Sequence, residues 1–185
     1  MLNRYLNALK VRWGVYSLLS KIYKEEQTVE SLQDLLNNVD TILTSGSELL
    51  DGVFTEVFEH LQSLRMLIND LLKQDSKQMQ SLLAKEYAHL FLGFGKFHPS
   101  ESSYRSESDS IMQEFRDDVL EAYRKFGVRK IDEFKKPEDH IAVELQFMAY
   151  LCRHTIEALN NGGGLYEAKK YLEAQRDFLN NHLAS

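Results

Sequence analysis

Cysteine occurs once in this chain, at Cys152, so no intrachain disulfide can form. A lone thiol suits a reducing compartment. Proline occurs twice, at Pro99 and Pro137, which leaves long uninterrupted stretches available to helix. No apolar run approaches the ~20 residues that a membrane-spanning helix needs. The opening stretch MLNRYLNALKVRW scatters Arg4, Lys10 and Arg12 through its apolar positions, unlike the unbroken apolar core of a secretory signal. The cytoplasm is therefore the expected location. An excess of positive charge is also missing: 28 acidic against 22 basic side chains give a formal charge of −6. Such a surface repels nucleic acid and favours a basic partner. The cluster Arg124, Lys125, Arg129, Lys130, Lys135 and Lys136 is interrupted by Asp132 and Glu133, and reads as a solvated loop.

What is present is core material on a helical period. Hydrophobic residues make up 43% of the 185, among them ten Phe and nine Tyr, enough for one domain spanning 1–185. Leu2, Tyr5, Leu6, Leu9, Trp13, Tyr16, Leu19 and Tyr23 recur at steps of three and four, which predicts a first helix over 2–24 with these on one face. Thr28 is placed to cap a second helix carrying Leu32, Leu35, Leu36, Val39, Ile42 and Leu43, broken at Ser45-Gly46-Ser47. A third is predicted over 47–73, and a fourth from Asp75 or Ser76 to Phe91 through Leu82, Leu83, Tyr87 and Leu90.

Residues 92–108 lose the period and hold two glycines, a proline and five serines. This irregular loop is expected to be mobile and functional. A fifth helix ends near Phe126, with Gly127 at its C′ position, and a linker covers 127–136. Pro137 is expected in the first turn of a sixth helix, with Glu138 and Asp139 complementing its positive end. That helix carries Ile141, Leu145, Met148, Leu151, Cys152 and Leu159 up to Gly162-Gly163-Gly164, and a seventh follows over 165–182. Seven helices without a strand predict an all-α bundle in a single domain.

Few side chains suit catalysis. Glu86 and His89 make one Glu-x-x-His, but di-iron bundles need two such pairs and two further glutamates. His140 and Glu144 lie one helical turn apart, and two ligands are half of what structural zinc takes. A metal-dependent oxidase or hydrolase built on Glu86, His89, His140 and Glu144 is the rival from the enzyme class. Cys152 falls on an apolar stripe and reads as an inert buried thiol. Gly93 to Gly95 followed by Lys96 is a fragment of a phosphate loop without its preceding strand. Neither metal nor organic cofactor is expected. The remaining feature is the acidic pair Glu138 and Asp139, with Phe94, Phe97 and Tyr104 in the irregular loop. Carboxylates beside exposed rings suit a peptide bearing arginines ahead of an apolar stretch; the plainer reading is an ordinary helix start.

Four pieces between about 84 and 183 carry a resemblance. They are Glu86-Tyr87-Ala88-His89-Leu90-Phe91-Leu92-Gly93; Pro99-Ser100-Glu101-Ser102-Ser103-Tyr104; Tyr123 followed by Gly127; and Pro137-Glu138-Asp139-His140 with Glu144-Leu145 and Phe147-Met148. In this order the chain resembles the TorD/DmsD/NarJ group of chaperones for molybdenum-containing redox enzymes. The resemblance implies a helical, non-enzymatic chaperone acting in the cytoplasm. Its partner would be the twin-arginine signal peptide and apo form of a molybdopterin oxidoreductase, held until the cofactor is loaded, with no nucleic acid involved. It associates the signal-binding surface with Asp139 and His140 and with the loop bearing Ser102 and Tyr104. Pro137, Glu138, Glu101, Tyr87 and Phe91 complete the candidate set from the matched pieces. Weak guanine-nucleotide binding is attributed to some members. Two features depart from the pattern. Ser100 stands where members often carry an aromatic. The chain also stops at Ser185, where many continue, so the expected state is a minimal monomer or a dimer completed by an exchanged helix.

Overall fold

The structure is a computed structural model that describes residues 2–49, 52, 54–92, 97–105, 109–131, 134–160 and 164–184; of 92, 104, 105 and 109–115 the backbone alone is described. Among these residues the α-helices are α1 (Leu2–Lys24), α2 (Val29–Ser45), α3 (Phe54–Leu72), α4 (Ser76–Tyr87), the single turn α5 (Ser102–Arg105), α6 (Asp109–Lys125), α7 (Ile141–Asn160) and α8 (Gly164–Phe178). A 3₁₀ turn, Ser47–Leu49, follows α2, and π-helical turns extend α4 over Ala88–Leu92 and α8 over Leu179–Leu183. No strand occurs among the described residues, in agreement with the all-α expectation; one isolated antiparallel bridge joins Ser100 and His140.

Local chemistry sets most helix ends. Thr28 Oγ1 accepts the Ser31 N–H at 3.1 Å while Ser31 Oγ accepts the Thr28 N–H at 2.7 Å, a reciprocal cap that satisfies two orphan donors. Asp75 Oδ1 accepts from Lys77 and Gln78 N–H, both at 3.1 Å, and starts α4. Gly127 adopts φ +66°. Its N–H reaches Arg124 O at 3.0 Å and Val128 N–H reaches Tyr123 O at 3.1 Å, the paired bonds that close a helix through a left-handed residue.

Two apolar clusters fill the bundle. Val11, Leu18, Leu35, Val39, Phe58, Leu61, Ile68 and Met79 form the first, drawn from α1 to α4. Val119, Tyr123, Phe147, Met148, Leu151 and Phe178 form the second, from α6, α7 and α8. Helix α1 lies between them. Its strongest packing is on α7, which runs alongside α8, while α1 also meets α2. This position corrects the expected stripe of α1. Leu9, Val11, Leu18 and Ser20 are buried, whereas Leu2, Tyr5 and Trp13 are exposed, Trp13 by 42%. A helix between two cores must bury two narrow faces, so no single broad stripe describes it. Helix α4 likewise buries Met79 and leaves Leu82 and Leu90 exposed.

Helix α7 is the opposite case. Ala142, Leu145, Phe147, Met148, Ala149, Leu151, Cys152, Thr155 and Ala158 are all buried, which covers more than half of the helix circumference and leaves Gln146, Arg153 and Asn160 on one exposed face. Cys152 and Thr155, two of the polar residues it carries inward, are hydrogen-bonded. Cys152 Sγ donates to Gln175 Oε1 at 3.3 Å, and Gln175 Nε2 donates to Thr155 Oγ1 at 2.8 Å. Burial pushes the Cys152 thiol up to about 11, so it stays protonated and behaves as a small core residue.

Gly46 ends α2 where α1 and α3 converge. A Cβ there would collide with the Phe58 ring and approach Val11 Cγ2 to 2.8 Å. Gly46→Ala should therefore lower the unfolding free energy by about 1–3 kcal/mol through overpacking. Urea unfolding monitored by circular dichroism measures it; an unchanged midpoint would contradict this close approach.

Candidate functional site

The sequence placed Pro137 to Asp139 in the first turn of a helix. The structure instead starts α7 at Ile141 and makes 137–140 a separate turn, closed by His140 N–H to Pro137 O at 3.3 Å. The reason is tertiary. Glu101 N–H donates to Asp139 O at 3.0 Å, and Ile141 N–H donates to Pro99 O at 2.7 Å. These two bonds flank the Ser100–His140 bridge and hold the turn in an extended pairing that a helical first turn could not make.

Asp139 completes the clasp with its side chain. It is fully buried (0%), and its Oδ2 accepts the Ser102 N–H at 2.9 Å, at the start of α5. Oδ1 has no hydrogen-bond partner among the described residues. Asp139 is therefore a core group and not the first-turn helix residue expected from the sequence. Ser102 and His140 are buried with it. His140 Nδ1 accepts the Ala142 N–H at 3.2 Å, and its ring meets Phe134 edge-on at 5.3 Å. Burial and then the charge of Lys136 bring the imidazole down to about 4, so it is neutral at physiological pH.

The neighbouring acids are tied as firmly. Glu101 Oε2 lies 3.0 Å from His182 Nδ1, both side chains nearly buried, which links the 99–102 loop to the π turn after α8. Glu138 Oε2 accepts from Arg116 Nε at 2.9 Å and Nη2 at 2.5 Å, and Lys130 Nζ stands 3.6 Å from Oε1. Partial burial would raise the Glu138 carboxyl, but the Arg116 hydrogen bonds and charge outweigh it and hold the group low. Tyr123 OH donates to Glu138 O at 3.0 Å. Burial first, and then the fields of Glu144, Asp139, Glu101 and Glu138, raise this phenol well above its ordinary value. Four carboxylates thus converge on the junction of α6, α7 and the 99–102 loop.

Not every candidate falls here. Tyr87 and Phe91 lie in a separate, half-exposed aromatic group with Tyr23 and Phe97; Tyr87 and Phe91 are 5.0 Å apart and Phe91 and Phe97 5.4 Å. Tyr104 belongs to α5 by backbone, and its side chain lies outside the described residues, as do Gly93 to Lys96. The rival metal set is dispersed: Glu86 and His89 are exposed, His140 and Glu144 buried. No group of three or more metal-ligating side chains is assembled among the described residues. No helix among them is long and apolar enough to cross a membrane.

Two clefts border the clasp. One, of about 410 Å³, lies between α1, α7 and the linker, under Phe134, Tyr123 and Tyr150. The other, of about 750 Å³, runs between α6 and α8 and reaches His182. Sequence reasoning missed Tyr23, His182 and the carboxylates of the second cleft, Asp118, Glu121, Glu173 and Asp177. Their only sequence signal is a spacing of three, four and seven from Asp118 and from Lys170, repeated on two helices.

Residues 51–185 match the family model described as "Nitrate reductase delta subunit". The chain belongs to this family. Within it, the TorD/DmsD/NarJ likeness read from the sequence is borne out by named relatives. "Chaperone protein TorD" of Aliivibrio salmonicida (strain LFI1238) is 28% identical over 184 residues, 97% of this chain and 80% of the relative. "Chlorate reductase assembly chaperone protein" of Ideonella dechloratans is 36% identical over 108 residues, 56% of this chain and 52% of the relative. "Selenate reductase assembly chaperone protein" of Thauera selenatis is 29% identical over 127 residues, 65% and 58% of the two chains. No solved structure matches the chain. A chaperone role, and not an enzymatic one, follows for this member of the nitrate reductase delta subunit family.

His140 gives the clasp of this family member a pH signature. Unfolded, the imidazole has an ordinary value of 6.5; folded, about 4. Above pH 6.5 both states are neutral and nothing is lost. As pH falls below 6.5 the unfolded chain takes up the proton first, so stability declines until pH nears 4. By a pH of about 5 the wild type should lose roughly 2 kcal/mol more than His140→Asn, whose amide oxygen can still accept the Ala142 N–H. Urea unfolding across this range tests it; parallel pH curves for the two proteins would contradict it.

Proposed function

We propose that this protein is the assembly chaperone of a molybdopterin-containing redox enzyme, and that it binds the enzyme's N-terminal twin-arginine signal in the cytoplasm. It holds that segment until the cofactor is inserted, before export or membrane assembly. The observation that carries the reading is likeness to TorD chaperones along nearly the whole chain. Chaperones named for chlorate and selenate reductase assembly support it from a second direction. The bulk chemistry agrees, since a chain of charge −6 suits a basic segment.

The candidate residues divide by exposure into two proposed roles. Asp139, His140, Ser102 and Glu101 are buried, so they act by positioning the 99–102 loop against α7 and do not touch the client. Pro137 and Glu138 form the turn that carries them, and Arg116 occupies the Glu138 carboxylate. The half-exposed rings of Tyr87 and Phe91, with Tyr23 and Phe97, offer a surface for an apolar stretch.

Titration calorimetry on the full chain tests the function, using a synthetic peptide of two arginines followed by a run of leucine and alanine. Saturable binding is expected, weakened about ten- to a hundredfold when both arginines become glutamine, because each charge-assisted hydrogen bond lost is worth roughly 1.5–3 kcal/mol. Absence of saturable binding, or indifference to the arginines, would overturn the reading.

A further inference from the structure

We infer that the groove between α6 and α8 is the docking surface for the arginine-bearing part of the client segment. The inference rests on the proposed signal-binding function and names where the charged end is received. The groove has a volume of about 750 Å³ and is floored by Phe126, Phe147 and Phe178. Along its two walls stand Asp118 and Glu121 from α6 and Glu173 and Asp177 from α8, with Lys125 and Lys170 as the cations, an excess of two negative charges. On each helix the lining positions recur at intervals of three and four, so each presents one continuous face to the cleft.

This acidic rim is available to a ligand. Asp118 has no ion-pair partner among the described residues. Glu121 pairs with Lys125 at 2.9 Å, Glu173 with Lys169 at 3.6 Å and Asp177 with Arg176 at 2.7 Å. These are exposed, same-helix pairs, worth little and readily exchanged. The floor already accepts a cation. Lys170 Nζ sits 5.1 Å from the Phe126 ring centroid, so an ammonium occupies the position that an incoming guanidinium would take over an aromatic face. Carboxylates flanking aromatic rings complement a guanidinium followed by an apolar side chain, since the planar cation can both stack and bond in bidentate fashion. Neither the half-exposed aromatic group at Tyr87 and Phe91 nor the cleft beneath Phe134 combines these features; the latter is bordered by Lys24, Arg129 and Lys130 and would repel an arginine.

The groove also meets the clasp. His182 lines its end and pairs with Glu101, which belongs to the loop held by Asp139. A segment seated in the groove therefore abuts the buried acids without displacing them.

The test uses the full chain and two synthetic peptides, one with two arginines ahead of leucine and alanine, the other with two glutamates in their place. Asp118 and Asp177 are exposed, so Asp118→Lys/Asp177→Lys is expected to fold, as its circular dichroism and melt will show. Wild type should bind the arginine peptide, and the double variant should bind it roughly tenfold more weakly or worse while gaining affinity for the glutamate peptide. Asp118→Asn/Asp177→Asn should fall between them and covers the case in which the lysine variant does not fold. If wild type binds the arginine peptide and both variants bind it within about twofold of wild type, the docking surface lies elsewhere and the inference fails while the function stands. If wild type binds no arginine peptide, the function fails and the inference with it.

Discussion

The hydrogen bond from Ser102 N–H to Asp139 Oδ2 is the contact on which the arrangement around it depends. It joins segments 37 residues apart, and it does so in an interior that leaves Asp139 no water. A buried carboxylate is tolerated only where charge-assisted bonds repay its desolvation. Here the backbone pairing of 99–101 with 139–141 supplies the geometry, and the carboxylate locks it. Through Glu101 the same loop reaches His182 beyond α8, and through Glu138 the same turn reaches Arg116 on α6. One short loop and one turn thus fasten α6, α7 and α8 to each other at a single junction.

That junction matters because the helices it joins are otherwise held by side chains from a shared core. Helix α7 is buried around more than half of its circumference and α1 on two faces, so both serve as the spine of the bundle. Helix α6 meets this spine through Val119 and Tyr123, and its remaining polar face is left standing across a groove from α8. A chaperone that must hold and release a client gains from such a plan. The spine gives a rigid wall, and the groove offers surface carboxylates whose existing partners are weak. The acids fall into two sets with different work. The buried set, Asp139, Glu101 and Glu144, lies at the junction, and the exposed set, Asp118 and Asp177 among them, is held by weak surface pairs at most.

How much of this the sequence disclosed follows from the range of the forces involved. Thr28, Asp75 and Gly127 act within a few residues of themselves, and the helix ends they predict are where they should be. The stripes of α2 and α3 were legible because each faces one core. The face of α1 was misread because two cores compete for it, and Trp13 lost. Pro137 carries the local signal of a helix start, but the pairing with Pro99 and Glu101 overrode it, and that pairing lies nearly forty residues away. The resemblance singled out Asp139 and His140 as part of a peptide-binding surface, while their place in a buried junction could not be read from the chain. The groove carboxylates looked like ordinary solvated faces, since only the packing of α6 and α8 against α7 brings the two faces opposite each other.

The claim that most of the account turns on is that Asp139 is a buried clasp for the 99–102 loop. Residue-resolved amide hydrogen exchange, on wild type and on Asp139→Ala, tests it directly. The Ser102 and Ile141 amides should exchange slowly in the wild type, in the range of amides at the centre of α7 such as Leu151. In Asp139→Ala the Ser102 amide should exchange at least about tenfold faster, as losing a charge-assisted bond of roughly 1.5–3 kcal/mol requires, with Leu151 still protected. Fast exchange of Ser102 in the wild type, or exchange unaltered by removing the carboxylate, would contradict it.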